Sequence, residues 1–263
     1  MSTVVVNGAS LALRGADCTR RSGMARARTV ESRMRILAFD TSTEWLSVAA
    51  GDGTAWHERL ERAGPANSER LLPVIDTVLA SAGWTLAALD GIAFGAGPGA
   101  FTGVRIACSV AQGLAFGAAR PVVPVPTLAA LAQAAWRSDG STHVLACLDA
   151  RMREVYVAAY AREGAAWRTV QAPAVMKPDD VTVPPGDRWR GAGDGFATFP
   201  QLASLARLGG VDAAAVPQAR AIGELALPEL AAGRGVAAAD ALPLYVRHRV
   251  ALTSEERAAG ARL

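Results

Sequence analysis

An α/β fold of two similar subdomains facing a cleft is what this sequence predicts, on three observations. The apolar run Ile36-Leu37-Ala38-Phe39-Asp40 recurs as Leu145-Ala146-Cys147-Leu148-Asp149, each a strand ending on an aspartate, at an offset of 109 residues. Two further strands follow each run. A glycine-rich turn after a later strand also occurs in both halves, over residues 95–103 and at Gly191-Ala192-Gly193-Asp194-Gly195.

The chain has ample length for a buried core at 263 residues, of which 51% are apolar and 19% charged, so it is globular rather than disordered. No apolar run approaches the roughly 18 residues of a membrane helix, so no membrane association is expected. Cys18, Cys108 and Cys147 are odd in number and lack C-x-x-C spacing. Buried thiols in a reducing compartment, the cytoplasm, follow more readily than a zinc site. The basic balance is local. Residues 1–33 hold six arginines against two acids, a net of +4, which leaves the remainder at −1. No basic patch for nucleic acid is visible in the folded part.

Residues 1–33 lack a hydrophobic period and are expected to be disordered. They read as an upstream start-site artefact with Met24 or Met34 as the true first residue, as an Arg-rich targeting extension, or as a basic arm; the first is preferred. An N-terminal subdomain is expected over 34–137, a C-terminal one over 138–250, and a tail over 251–263. After the strand 36–40, strands are predicted at 45–50 and 54–60 around the turn Gly51-Asp52-Gly53. Asn67 or Ser68 should cap a helix over 68–82, with Glu69 in its first turn and Leu71, Leu72, Ile75, Val78 and Leu79 as its apolar stripe. A strand at 89–94, the glycine turn, a helix over 102–116, a strand at 122–125 and a helix over 127–136 complete the first half. The second half offers strands at 145–149, 154–160, 166–171 and 188–190. Prolines 184, 185, 200 and 217 break up its helix pattern, leaving one helix near 219–232 interrupted by Pro228.

The glycine turn fails as a generic phosphate motif. It has no lysine, and Lys177 is the chain's only one, so it is not a Walker loop. Gly95-x-Gly97-x-x-Ala100 has dinucleotide spacing, but no acid lies about 20 residues on. A strand, glycines and a helix start can make an anion site, or merely a tight connection that lets two layers approach.

As a signature the same stretch is specific. Gly95-Ala96-Gly97-Pro98-Gly99-Ala100-Phe101-Thr102-Gly103-Val104-Arg105-Ile106, with Asp40-Thr41-Ser42-Thr43, Ser68-Glu69-Arg70-Leu71-Leu72-Pro73, residues 148–156 and Pro243-Leu244-Tyr245-Val246-Arg247, resembles the TsaB (YeaZ) family, from about residue 34 to 250. That family works in threonylcarbamoyl-adenosine modification of tRNA and is grouped with glycoprotease-like proteins. The resemblance implies the actin/sugar-kinase/Hsp70 (ASKHA) architecture and a non-catalytic subunit that binds and activates a paralogous TsaD-like catalytic subunit. A small TsaE-like ATPase and tRNA would join through the complex, with a homodimer when the chain is alone. No cofactor is expected on this chain by itself, with ATP or ADP admitted at the subunit boundary.

The residues present agree with lost chemistry. In kinases of this architecture the first strand ends D-x-G-[ST], but here Ser42 stands where the glycine would be. Asp40, Ser42, Thr43, Gly97, Gly99 and Gly103 then mark a vestigial phosphate site, with Asp40 either a turn-former or a remnant magnesium ligand. His57, His143 and His248 are too scattered for the H-x-x-x-H pair of the catalytic paralogue, and no nucleophile–His–Asp set stands out. No catalytic or metal-binding residue is therefore assigned. The resemblance places the partner interface on the first two helices, at Ser68, Leu71, Leu72, Ile75, Val78, Leu79, Phe101, Thr102 and Arg105. Periodicity alone makes both of them core helices, the second apolar nearly all round and so covered on every side. Arg105 is set either to meet an anion or to pair with an acid. Two rival readings are a free-standing phosphotransferase using Asp40 and the glycine loop, and a peptidase.

Overall fold

The computed structural model describes residues 33–186 and 188–247. The expectations for Cys18, for residues 1–32 and for the tail beyond 247 lie outside the described residues. Two five-stranded sheets share one topology. In the first, β1 (Ile36–Asp40) is antiparallel to β2 (Trp45–Gly51), and β2 to β3 (Trp56–Arg62). On its other side β1 is parallel to β4 (Gly91–Gly97), which is parallel to β5 (Val122–Pro126). The second sheet contains β6 (His143–Asp149), β7 (Val155–Glu163), β8 (Ala166–Met176), β9 (Trp189–Ala192) and β10 (Leu208–Asp212). Their order β8-β7-β6-β9-β10 mirrors β3-β2-β1-β4-β5, with the same senses of pairing. The 109-residue repeat read from two aspartates is a repeat of whole sheets.

The pleat decides what each strand residue meets. Leu37 and Phe39 of β1 face Leu71, Ile75 and Val78 of α1 (Asn67–Ala82) and Ala107 and Ala111 of α2 (Phe101–Ala118). Ile36 and Ala38 face the opposite way, onto Ile222 and Ala226 of α5 (Ala219–Ala231). The helix α3 (Thr127–Asp139) uses two faces. Its Ala130 and Ala134 join that same cluster, while Leu128, Leu131 and Ala135 pack on Val144, Ala146 and Leu148 of the second sheet. Thus α3 and α5 form one layer between the sheets, and α5, from the second half of the sequence, rests on the first sheet. Central strands covered on both faces read as unbroken apolar runs. The far face of the second sheet is closed by loop and short-helix residues, among them Val181, Val183, Leu202 and Phe196, the last in the single turn α4 (Gly195–Thr198).

Several element ends differ from the sequence expectations, each for a local reason. The third strand starts at Trp56 because the Asp52 carboxylate accepts the Thr54 and Ala55 N–H groups, both at 2.9 Å, and holds them in the turn. Neither Asn67 nor Ser68 caps α1: Asn67 is its first residue, and its amide donates to Thr43 O at 3.1 Å. The core stripe of α1 is Leu71, Val74, Ile75, Val78 and Leu79, so Val74 takes the place expected of Leu72. The strand expected at 89–94 runs from Gly91 on through the glycines to Gly97, paired with β1 as far as Phe94 and with β5 to its end. Pro228 sits in the last turn of α5 without interrupting it, since a late proline displaces only one hydrogen bond. Cys108 and Cys147 are buried thiols, and burial pushes the Cys147 thiol well above its ordinary range. Among the described residues no helix is long and apolar enough to cross a membrane.

Candidate functional site

A cleft of about 640 Å³ opens where the first strands of the two sheets end. Its walls are the turn from Thr41 to Glu44, the loop from Pro98 to Gly103, Asp149 to Arg151, Asp194, and the segment from Leu244 to Arg247. Asp40 lies beneath it, turned inward. Oδ1 accepts the Ser42 N–H at 2.9 Å and the Ser42 hydroxyl at 2.7 Å. Oδ2 is buried without a hydrogen-bond partner, close over Gly95, where an added Cβ would lie 1.7 Å from it. Burial raises the carboxyl to a pKa of about 6, with the two Ser42 bonds pulling the other way. Gly95, expected in the turn, is a strand residue that makes room for Asp40.

The remaining glycines are filled by protein. A Cβ on Gly99 would lie 2.5 Å from Ser42 O, and one on Gly103 would lie 1.9 Å from Thr41 O. The Ala100 N–H donates to Ser42 O at 2.7 Å, and the Thr41 hydroxyl donates to Gly103 O at the same distance. Gly97 has φ +102 and donates its N–H to the Thr127 hydroxyl at 3.0 Å. The turn after β1 therefore packs directly against the backbone of the glycine loop, a close approach of two layers. In the second half the Asp149 N–H donates to the Asp194 carboxylate at 2.9 Å. The Asp149 carboxylate accepts the Arg151 N–H at 2.9 Å and its guanidinium at 3.1 Å. Burial chiefly raises the pKa of Asp194, and the nearby Asp149 charge adds to it. Among the described residues, no three His, Cys, Asp or Glu side chains gather as a metal site.

Among the described residues, parts of the outer surfaces of α1 and α2 stand exposed. Leu71, Ile75, Val78 and Leu79 lie in the core, so the expectation that they meet a partner directly is corrected: the sheet already holds them. Ser68, Leu72, Phe101, Thr102 and Arg105 are exposed. The expectation that α2 is covered all round is also corrected. Val104, Ala107, Ala111 and Ala115 are buried, but Phe116 is 84% exposed, and Phe101 and Leu72 are each 49% exposed. Half-buried Ile106, Val110 and Leu114 extend this apolar surface. Among the described residues Arg105 pairs with no acid. Its guanidinium stacks 3.6 Å from the centre of the Phe101 ring and donates to the Tyr245 hydroxyl at 2.8 Å.

Tyr245 belongs to a strap that carried no assigned role in the sequence, although residues 243–247 stood out as a string. Ala241 O accepts the Gln112 amide at 2.9 Å, and the Leu244 N–H donates to Ala96 O at 2.7 Å. Arg247, its side chain only 11% exposed, donates to Ala150 O and to the Glu154 carboxylate at 3.0 and 2.6 Å. The strap thereby ties α2 to the turn of Arg151, Met152 and Arg153, three successive left-handed residues. Arg247→Ala is expected to cost about 2 kcal/mol in urea unfolding, the scale of lost charged hydrogen bonds in a half-dry site.

The family described as "TsaD: tRNA N6-adenosine threonylcarbamoyltransferase" matches residues 61–243. The tRNA threonylcarbamoyladenosine biosynthesis protein TsaB of Escherichia coli is 41% identical over 224 residues, covering 83% of this chain and 96% of that protein. TsaB of Haemophilus influenzae is 38% identical over 229 residues, with 82% and 95% covered. The solved structure of YeaZ from Pseudomonas aeruginosa superposes with a TM-score of 0.77 at 43% identity, covering 81% of this chain and 99% of that one.

Proposed function

This chain belongs to the TsaB family of tRNA threonylcarbamoyladenosine biosynthesis proteins, and from that premise we propose that it is the non-catalytic subunit that docks onto and activates a TsaD-like catalytic partner. The observation that carries the reading is the exposed surface of α1 and α2 among the described residues, where Leu72, Phe101 and Phe116 stand out to solvent and Arg105 stacks on Phe101. Exposed aromatic and arginine groups in an apolar setting are the usual anchors of an interface. The same surface would pair two copies when the partner is missing. A TsaE-like ATPase and tRNA join through the assembled complex in the cytoplasm. The cleft gives the complementary support. Asp40 faces inward and Asp149 is engaged by Arg151, so a free-standing phosphotransferase lacks its phosphate ligands here. Any ATP or ADP would sit at the boundary with the partner.

Leu72→Glu puts a charge at the centre of a desolvated contact while sitting outside the core. Co-purification with the catalytic partner is expected to fall by about a hundredfold, with the variant's thermal midpoint within about 2 °C of wild type. Undiminished co-purification would remove the helix surface as the docking site. ATP turnover by the chain alone, abolished in Asp40→Asn, would restore the phosphotransferase reading.

A further inference from the structure

A groove of about 1270 Å³ runs between α3, α5 and the β7–β8 side of the second sheet, and shares only Leu244 with the interlobe cleft. Its wall is an arginine between two indoles. The Arg162 guanidinium carbon lies 3.7 Å from the centre of the Trp136 ring and 5.5 Å from that of Trp167. Gln133 Oε1 accepts from Arg162 at 3.1 Å and from the Trp167 indole N–H at 2.8 Å. The neighbouring cations are neutralised: Arg137 and Arg220 bind Glu224, and Arg234 binds Glu229. Among the described residues no carboxylate lies within ion-pair distance of Arg162. Its burial lowers its pKa, an effect that Glu224 only partly offsets.

Tyr160 precedes Arg162 by two on β7 and so shares its face of the sheet. It lines the groove and is 3% exposed, yet its hydroxyl is buried with no hydrogen-bond partner. An unanswered buried hydroxyl is unfavourable, and native proteins rarely keep one without a use. Burial also raises its pKa, so it stays a donor. One side of this groove therefore holds an unanswered hydroxyl and a guanidinium with N–H groups beyond the one given to Gln133, and beside them two flat apolar rings.

We infer that this groove binds a nucleotide, with its base laid against Trp136 or Trp167 and its phosphate received by Arg162 and the Tyr160 hydroxyl. Indoles stack on any base, and an arginine without a carboxylate partner offers a phosphate its planar fork of donors. The volume exceeds that of a usual small-molecule pocket, so a free nucleotide and one unit of a single-stranded RNA both fit, with the same chemistry.

Calorimetric titration of the full chain with AMP, with adenosine and with a single-stranded hexaribonucleotide tests this. AMP is expected to bind at least about tenfold more tightly than adenosine, because the phosphate carries the charge. Arg162→Ala should weaken AMP by a similar factor. So should Thr169→Trp, whose bulk fills the groove from an exposed position on β8 opposite Tyr160. Tyr160→Phe should lower affinity while leaving the thermal midpoint of the empty protein unchanged or higher, a split that a purely structural tyrosine would not give. Hexaribonucleotide binding tighter than AMP, with the same dependence on Arg162, identifies an RNA strand as the source; equal or weaker binding identifies the free nucleotide. No binding of any of the three at millimolar concentration overturns the inference. So does binding that survives both Arg162→Ala and Thr169→Trp.

Discussion

Gly103→Ala is expected to destabilise the protein by about 4 kcal/mol or more, although it places the best helix former in the first turn of a helix. The added Cβ would lie 1.9 Å from Thr41 O and 3.0 Å from Thr41 C, and both are backbone atoms. No rotamer change relieves that contact. The turn after β1 must move by more than an ångström, and it is held by Asp40 to Ser42, by Thr41 to Gly103 O and by Ala100 to Ser42 O. The helix-propensity gain of about 1 kcal/mol from replacing glycine is several times smaller than breaking this set. Gly113→Ala, in the same helix with no atom within 4 Å of its added Cβ, supplies the contrast. It should gain up to about 1 kcal/mol. Thermal melting of the two variants side by side should separate them by roughly 10 °C or more at this chain length. Equal midpoints would mean that the turn after β1 yields freely, and the close packing of loop on turn would not hold.

That contact marks how far the sequence could be read. The two sheets were legible because a buried central strand has no choice of composition: Ile36 to Phe39 and Leu145 to Leu148 are apolar at every position, and each ends at an aspartate. Membership of the family was legible from the order of its strings along the chain. What each glycine is for was not, because Gly95, Gly99 and Gly103 accommodate residues more than fifty positions away, and spacing carries no record of them. The apolar stripe of α1 was misdrawn by one residue for a similar reason. Leu72 and Val74 are alike in composition, and only the direction of the sheet shows that Val74 is buried and Leu72 exposed. The stack of Trp136, Arg162 and Trp167 joins a helix to a hairpin and has no local pattern at all.

Asp40 yields the other large effect, in the pH dependence of stability. Its folded pKa of about 6 lies above its ordinary value of 3.8. Between those values the native protein holds a proton that the unfolded chain has released. Stability from this group is therefore present below about pH 4, declines as the pH rises, and is gone above about pH 6, a loss of about 3 kcal/mol. Asp194, whose carboxyl is also raised by burial, contributes with the same sign. Glu44 and Glu61, held low by Arg62 and Arg70, contribute with the opposite sign and at lower pH. The difference between wild type and Asp40→Asn isolates the one group. The variant keeps an oxygen for Ser42 and cannot ionise, so the urea-derived stability of wild type should fall relative to it by about 3 kcal/mol between pH 4 and pH 7.5. Parallel curves for the two proteins would show that the carboxylate is solvated and open to the cleft. In that event Asp40 would be free to hold a cation, and the proposal of a non-catalytic subunit would lose its support from this residue. A wild-type curve that falls away from the variant shows instead an aspartate whose ionisation the protein opposes.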